Sequence, residues 1–485
     1  MKVLLVNPSA ERCVDTFMTP LGILSIASFV EQFGHIARVY DREVNRGDFA
    51  KYLKDFMPDM IGVSVISGKA VNDAVKITSA AKSLGIKVVW GGLMPSCHPE
   101  FVLKESGADI VCIGEGEHTF LELIDAIETG KSFDTVKGLA YIGSDGQVLK
   151  TQEPDLIDLS ELPALDWDLI DVRKYFKEYY GCKKMLYTYS SKGCPGHCTF
   201  CYNEFYNRST RRRRPIQTVL GEIEYLCKKY SMDGTYFADD LLFQNKEDMR
   251  EFCSAIIASG LSFHWGGYIR VFSSFEHEDY QFMFDAGCRW LYFGIESGSK
   301  NMQHRIKKGI DFEKIEPTFT YCADVGIEAN ALFIIGFPDE TEQELKDTVN
   351  LARKINSSQK LFAYYTPIYS SASYRQLLEN KIIKAPSSLR EVSEQELLDK
   401  ISDNYSAVPD AELRVIRSYF LWKRFVVKKT FADEKPFSFT IKIIINSFKG
   451  LRYFNIEIFS IAFKMIGYFF DIAFHPGIRK KYGLK

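Results

Sequence analysis

The chain opens on an alternation of short apolar runs and longer amphipathic stretches. VLLV (3–6), ARVYD (37–41), MIGVSVI (60–66), KVVWGG (87–92) and ADIVCIG (108–114) read as strands. Between them GILSIASFVEQFG (22–34), DFAKYLKDFMP (48–58), AVNDAVKITSAAKSLG (70–85), PEFVLKESG (99–107) and EHTFLELIDAIETG (117–130) carry helical spacing, and most end on Gly. This alternation predicts an α/β domain over 1–135, a doubly wound parallel sheet of five strands with helices on both faces. Residues 136–184 are less regular and predict a linker. Within it GLAYIGSDGQVLK reads as a hairpin turning at Ser-Asp-Gly, and the acidic DLSELPALDWDLID as extended chain.

A second alternation starts at Met185. MLYTYSS, GTYFAD, SFHWGGYIR, WLYFGIE, IEANALFIIG and KLFAYYTP predict strands, and 216–230, 246–259, 277–286, 312–325 and 340–355 predict helices. Six strand–helix units fall short of the eight of a closed barrel. The expectation is a partial (β/α)6 barrel over 185–370, with its site at the C-terminal strand ends. Residues 371–485 predict a mainly helical region with a basic, apolar tail.

The length of 485 residues suits two or three domains, and 46% hydrophobic with 26% charged residues is a globular composition. The formal net charge of −2 gives no reason to expect a nucleic-acid partner. The eleven cysteines are mostly isolated in apolar runs, and the N-terminal apolar run is too short for a signal-peptide core. A reducing, cytoplasmic setting follows, in which clustered cysteines point to metal rather than to disulfides. No stretch of eighteen apolar residues predicts a membrane span.

One cluster exists. Residues 190–203 read SSKGCPGHCTFCYN, placing Cys194, Cys198 and Cys201 in Cys-x3-Cys-x2-Cys spacing. Three thiolates can hold three corners of a 4Fe-4S cube and leave the fourth iron open to a ligand. The alternative is a closed zinc site with His197 as fourth ligand, which a loop at the top of a barrel suits less well.

The segment resembles the signature of the radical SAM superfamily, with Phe200 before the third cysteine and Tyr202 after it. The resemblance implies that the open iron chelates S-adenosylmethionine and that the reduced cluster splits the sulfonium to a 5′-deoxyadenosyl radical. Further segments carry it on. TYFADDLLF resembles the second-strand motif, with Asp239 and Asp240 near the SAM amino group. GYIRVF places Arg270 toward the SAM carboxylate, and LYFGIESGS places Glu296 toward the ribose or methionine end. ALFIIGFPDET offers Ile335 and Gly336 to the adenine. Arg211 to Arg214 form a charged run, which reads either as a solvated loop or as cover for SAM or an anionic substrate.

The first domain resembles that of the cobalamin-binding radical SAM enzymes. LVNPS and TPLGILSIASFVEQFGH look like that family's opening. Ser64 stands at its Ser-x-Leu position, Gly91 and Gly92 would let backbone approach the nucleotide tail, and Gly114, Glu115 and Gly116 belong to its Gly-Glu-Gly-Glu segment. There are departures. No Asp-x-His-x-x-Gly follows the first strand, so no histidine is placed to ligate cobalt from below. Leu93-Met94 stand where a histidine is common, and His98 reads as a loop residue. Lys69 reads as an exposed lysine at a helix start. The competing reading is a domain that binds another nucleotide or nothing, although no GxGxxG supports NAD.

Both halves together imply a methylase. The radical would take hydrogen from an unactivated carbon, and cobalamin would supply a methyl group to it. A small-molecule or lipid-like substrate and an external flavodoxin- or ferredoxin-like electron donor are implied. The alternative within the family is an oxidative cyclase or rearranging enzyme without methyl transfer; an alternative of another class is a non-catalytic cobalamin or cluster sensor. The tail at 436–485 has eight Lys or Arg against two acids. It reads either as a helical cap on the barrel or as a peripheral membrane surface.

Overall fold

The structure, a computed structural model, describes residues 1–10, 18–45, 47–66, 68–394, 403–427 and 467–484. Every predicted strand of the first alternation forms. β1 (Lys2–Asn7), β2 (Ile36–Asp41), β3 (Met60–Ser64), β4 (Lys87–Gly91) and β5 (Ile110–Cys112) pair in parallel, in the order β2-β1-β3-β4-β5. Strands such as Lys2–Asn7 are near-continuous apolar runs because both sheet faces are covered. One face carries α1 (Leu21–Glu31), and the other α2 (Phe49–Phe56), α3 (Ala70–Lys82), α4 (Leu93–Cys97) and α5 (Pro99–Glu105); α6 (Gly116–Thr129) lies on the face of α1. The chain reverses direction across the sheet between β1 and β3, the point at which such folds open a crevice at their carboxyl edge.

Two details differ from the sequence-based expectation. The hairpin at 139–150 is not free-standing. Its strands β6 (Leu139–Ile142) and β7 (Val148–Lys150) add antiparallel to β5, so the sheet has seven strands rather than five. The pairing covers an edge strand of three residues that would otherwise be open. The second detail is α4, which starts directly after Gly92. Gly92 has φ +99°, and a Cβ there would lie 2.7 Å from the Val65 carbonyl oxygen, so the turn from β4 into α4 requires glycine.

The second alternation follows its predicted elements closely. β8 (Lys177–Tyr179) pairs antiparallel with β9 (Cys182–Thr188), and the two-residue strands β10 (Ser191–Lys192) and β11 (Arg212–Arg213) close a long loop containing α7 (Asn203–Tyr206). Then come α8 (Ile216–Tyr230), β12 (Gly234–Phe237), α9 (Lys246–Ser259), β13 (His264–Ile269), α10 (His277–Asp285), β14 (Cys288–Glu296), α11 (Lys300–Arg305), α12 (Phe312–Val325), β15 (Glu328–Ile335), α13 (Glu342–Lys354) and β16 (Gln359–Tyr364). β9, β12 and β13 pair in parallel, as do β14, β15 and β16. These are the six strand–helix repeats of a partial barrel. Helix starts are written in local chemistry. Thr341 and Glu344 form a reciprocal capping box on α13, and Glu276 and Asp279 do the same on α10. Pro367 onward adds α14 (Ala372–Glu379), α15 (Leu389–Glu394) and α16 (Asp410–Val427), the helical region expected.

The chain divides into two compact units. The first holds Met1–Gln244, Glu251–Gly267 and Pro367–Leu397; the second holds Asn245–Arg250, Tyr268–Thr366 and the described residues beyond Leu398. Among the described residues no helix is long and apolar enough to cross a membrane. The tail expected to act as cap or membrane surface lies for the most part, 436–466, outside the described residues.

Candidate functional site

The three cysteines of the motif sit on the loop that β10 and β11 close. None of the ten described cysteines is in a disulfide, and Cys194, Cys198 and Cys201 are half-buried on irregular backbone. Gly193 precedes the first of them at φ +84°, where a Cβ would fall 2.0 Å from the Thr210 carbonyl oxygen. Only glycine lets the two sides of the loop approach this closely. Asn203, 2% exposed, then grips Cys194 from both ends: its Oδ1 accepts the Cys194 N–H at 3.1 Å and its amide donates to the Cys194 carbonyl. The Gly196 N–H points at the Cys194 sulfur from 3.4 Å. His197 is exposed and hydrogen-bonds Ser209 at 3.1 Å, as a loop residue would. Phe200 is half-buried between the second and third cysteines.

The two aspartates after β12 hold this loop down. Asp239 is 1% exposed and accepts the Ser190 N–H at 2.8 Å and the hydroxyls of Ser190 and Ser191 at 2.6 and 2.5 Å. Burial drives its carboxyl up to about 6, with those donors pulling it down. Asp240 accepts the Gly193 N–H at 2.8 Å and the Tyr202 hydroxyl. Burial and then the Asp240 charge push the Tyr202 phenol far upward, so it stays a donor.

Across the same unit, the carboxyl edge of the first sheet opens into a cavity of about 240 Å³. All six residues singled out in the first domain, Ser64, Gly91, Gly92, Gly114, Glu115 and Gly116, line this one cavity. Its floor is apolar, with Leu5, Ile23, Ile26 and Phe120, and its rim is glycine backbone. A flat aromatic ring fits such a floor, and backbone without side chains lets a bulky ligand come close. Lys69 is exposed at the start of α3, as expected. His98 lies between α4 and α5, packed edge-on to Tyr369 with centroids 4.7 Å apart.

Among the cavity-lining residues that sequence reasoning missed are Lys192 and Tyr206. Both come from the cysteine loop. Lys192 donates to Glu117 at 2.8 Å, and Glu117 also accepts the Ser25 hydroxyl at 2.7 Å. Burial alone would push the Lys192 ammonium down and the Glu117 carboxyl up. Their attraction overcomes both, so the lysine is shifted up, the glutamate down, and the pair stays ionised. Tyr206 donates to the Gly114 carbonyl at 2.8 Å, and Arg212 grips Glu115 with two nitrogens at 2.6 and 3.1 Å. The only local signal for Lys192 was its place just before Gly193-Cys194.

The arginine run is not a uniformly solvated loop. Arg211 donates to the carbonyls of Leu241 and Leu242, Arg212 meets Glu115, and Arg214 is buried against Glu222; Arg213 alone is exposed, 2.9 Å from Glu251.

In the second unit the remaining predicted residues stand at the C-terminal ends of successive strands. Arg270 follows β13 directly and donates to the carbonyls of Lys308 and Gly309. Glu296 ends β14 at a register irregularity, with φ +63°, and pairs with Lys308 at 2.7 Å. A left-handed glutamate at a bulge is strained backbone of the kind that concentrates at functional sites. Ile335 ends β15, fully buried. The Gly336 N–H then donates at 2.6 Å to Glu340, whose other oxygen has no partner. Burial raises the Glu340 carboxyl to about 8.

Comparison with known proteins matches two successive stretches of the chain. The B12 binding domain family matches residues 11–124, and the Radical SAM superfamily matches residues 188–352. An uncharacterized methyltransferase, PH0819 of Pyrococcus horikoshii, is 31% identical over 394 residues, covering 79% of this chain and 84% of its own. Cytidylyl-2-hydroxyethylphosphonate methyltransferase of Streptomyces wedmorensis is 26% identical, covering 80% and 84%. Anaerobic magnesium-protoporphyrin IX monomethyl ester cyclase of Rubrivivax gelatinosus is 26% identical, covering 84% and 77%. Two solved structures share the fold. The cobalamin-dependent S-adenosylmethionine radical enzyme OxsB superposes with TM-score 0.64 at 21% identity, covering 79% of this chain and 55% of that one. The radical S-adenosylmethionine methyltransferase TsrM from Kitasatospora setae superposes with TM-score 0.64 at 19% identity, covering 78% and 75%.

Proposed function

Because the chain belongs to the radical SAM enzymes that carry a cobalamin-binding domain, we propose that it methylates an unactivated carbon of a small-molecule substrate. The observation that carries this reading is the shared wall of the first unit, where the cysteine loop and the glycine-rimmed cavity are parts of one hydrogen-bonded structure. Cys194, Cys198 and Cys201 would hold three irons of a 4Fe-4S cluster; three thiols outside any disulfide, on a loop braced by Asn203 and Asp240, fit that donor set. Ser64, Gly91, Gly92, Gly114, Glu115 and Gly116 would hold cobalamin over the apolar floor. Phe200, Asp239, Arg270, Glu296, Ile335 and Gly336 would receive S-adenosylmethionine, Asp239 acting through the serines it fixes.

When bound, these groups supply a hydrogen-abstracting radical and a transferable methyl group; the protein's share is orientation and exclusion of water. No side-chain base is needed to remove hydrogen from carbon. An external one-electron donor of flavodoxin or ferredoxin type and a reducing, cytoplasmic setting complete the reading, supported by the thiols outside any disulfide. The tail at 436–485 supports a further arm, a lipid-like substrate met at a membrane surface. Loss of liposome co-sedimentation on removal of 436–485 is the expected result, and unchanged binding overturns that arm.

The central test is anaerobic reconstitution with iron, sulfide and cobalamin, followed by turnover with SAM labelled in its methyl group. Label in product together with 5′-deoxyadenosine is expected, and Cys198→Ala should lose both iron and products. 5′-Deoxyadenosine without label transfer replaces methylation with cyclisation or rearrangement, a reading that the cyclase relative keeps open. Absence of 5′-deoxyadenosine across substrates would leave a cofactor sensor.

A further inference from the structure

The cysteine loop is anchored at its base in an unusual way. β10 and β11 pair Lys192 directly opposite Arg212, two like charges facing each other on a two-residue ladder. Such a pair repels and would open the loop. Each cation instead reaches the Gly114–Glu117 rim of the cavity. Lys192 lies 2.8 Å from Glu117 and 3.5 Å from Glu115, and Arg212 holds Glu115 two-pronged. Glu115 also accepts the Ile157 N–H at 3.1 Å, and the Gly114 N–H donates to Ser96 at 2.9 Å. Midway round the loop, Tyr206 adds a third tie to Gly114. Two cations and two anions balance, and all four side chains are mostly buried, the lysine the most exposed at 24%. Burying four charges stabilises a fold little compared with apolar packing, so the arrangement is better explained by what it registers.

We propose that Lys192 and Arg212 are positioning residues that make the cysteine loop and the cavity rim one thermodynamic unit, so that filling the cavity and loading the three cysteines favour each other. The inference rests on the reading above that the cavity takes cobalamin. The rim backbone that a ligand would touch at Gly114 and Gly116 is continuous with the carboxylates that hold the loop shut. Disorder in the loop is therefore disorder in the rim. Coupling of this kind is reciprocal: whatever factor the cluster adds to cobalamin affinity, cobalamin adds to cluster affinity.

The test is equilibrium binding of hydroxocobalamin, read by corrin absorbance after ultrafiltration. It compares full-length protein with its cluster loaded and with iron removed by chelation. Wild type should bind at least about fivefold more tightly in the loaded state. Lys192→Met and Arg212→Gln should bring that ratio close to one, and Lys192→Arg should keep most of it. The neighbouring exposed Arg213→Gln should leave it unchanged. The electron paramagnetic resonance signal of the reduced cluster should respond to added cobalamin in wild type and not in Arg212→Gln. Corrin binding with a wild-type ratio near one overturns the inference whatever the variants do, as does an unchanged ratio in variants with a wild-type melting profile. No corrin binding in either state overturns the cobalamin reading itself, and this inference with it.

Discussion

Two fully buried carboxylates stand just beyond parallel strands, Asp239 in the first unit and Glu340 in the second, and they are treated differently. Asp239 has three donors on its two oxygens and rises to about 6. Glu340 has the Gly336 N–H at 2.6 Å on one oxygen and no partner on the other, and rises to about 8. Burial raises both; the serine donors and the Arg211 charge oppose it at Asp239, whereas the neighbouring Glu344 charge adds to it at Glu340. A third buried carboxylate has a cation beside it. Glu222, 4% exposed, faces the guanidinium of Arg214, itself 4% exposed, and also accepts the Leu165 N–H at 2.7 Å. The fold thus holds one carboxylate by a buried cation, one by neutral donors and one nearly bare.

The largest effect should come from the first of these. Arg214→Met leaves Glu222 buried without its cation and should cost about 3–5 kcal/mol, read as a lower midpoint of denaturant unfolding. A loss below about 1 kcal/mol would mean that solvent reaches the pair.

Glu340 gives the next effect, and its sign is fixed by linkage. Between its unfolded value near 4.5 and about 8 the unfolded chain has lost a proton that the folded chain keeps, so stability falls as pH rises across that window. Glu340→Gln removes the slope. The variant should melt above wild type at pH 9, by a difference on the order of a few kcal/mol, and show no advantage at pH 4. Parallel stability–pH curves would show that the carboxylate is hydrated.

Asp239→Asn should be milder, about 1–3 kcal/mol, because the amide oxygen can still accept the Ser190 N–H and the two serine hydroxyls can turn to accept from the amide NH2. It should flatten wild-type pH dependence only between about 3.8 and 6, the window of its own raised carboxyl. Proteolysis within 193–211 should become faster; an unchanged cleavage pattern would detach Asp239 from the loop. Arg213→Ala should be the smallest, within about 1 kcal/mol, since its partner Glu251 is 60% exposed.

Much of the fold was legible in the sequence because periodicity and caps are local. The helices at 216–230, 246–259 and 312–325 form over those residues, the last set by Asp311 at its start and Gly326 at its end. The six cavity residues were legible through the family resemblance, at Ser64, the paired glycines after β4 and the Gly-Glu-Gly segment after β5. What could not be read locally was the destination of charges. Arg211 to Arg214 share one composition, yet the alternation of an extended strand sends Arg212 and Arg214 inward and leaves Arg213 outside. Their partners, Glu115, Glu222 and two carbonyls, lie up to 97 residues away. Lys192 was passed over for the same reason, its partner Glu117 being 75 residues upstream. The hairpin at 139–150 was recognised, but the sheet edge it completes was not, because strand neighbours are chosen by open edges rather than by sequence.

The facing cations of β10 and β11 bear on modularity. A chain starting near 182 would retain the three cysteines of the motif and the strands β9 and β12 to β16, yet Lys192 and Arg212 would meet across their ladder with no counter-charge. The cysteine loop would then be the part of the excised barrel that fails to take its shape. On this prediction the barrel is not a portable cassette: its cysteine loop would take its shape against the domain that precedes it.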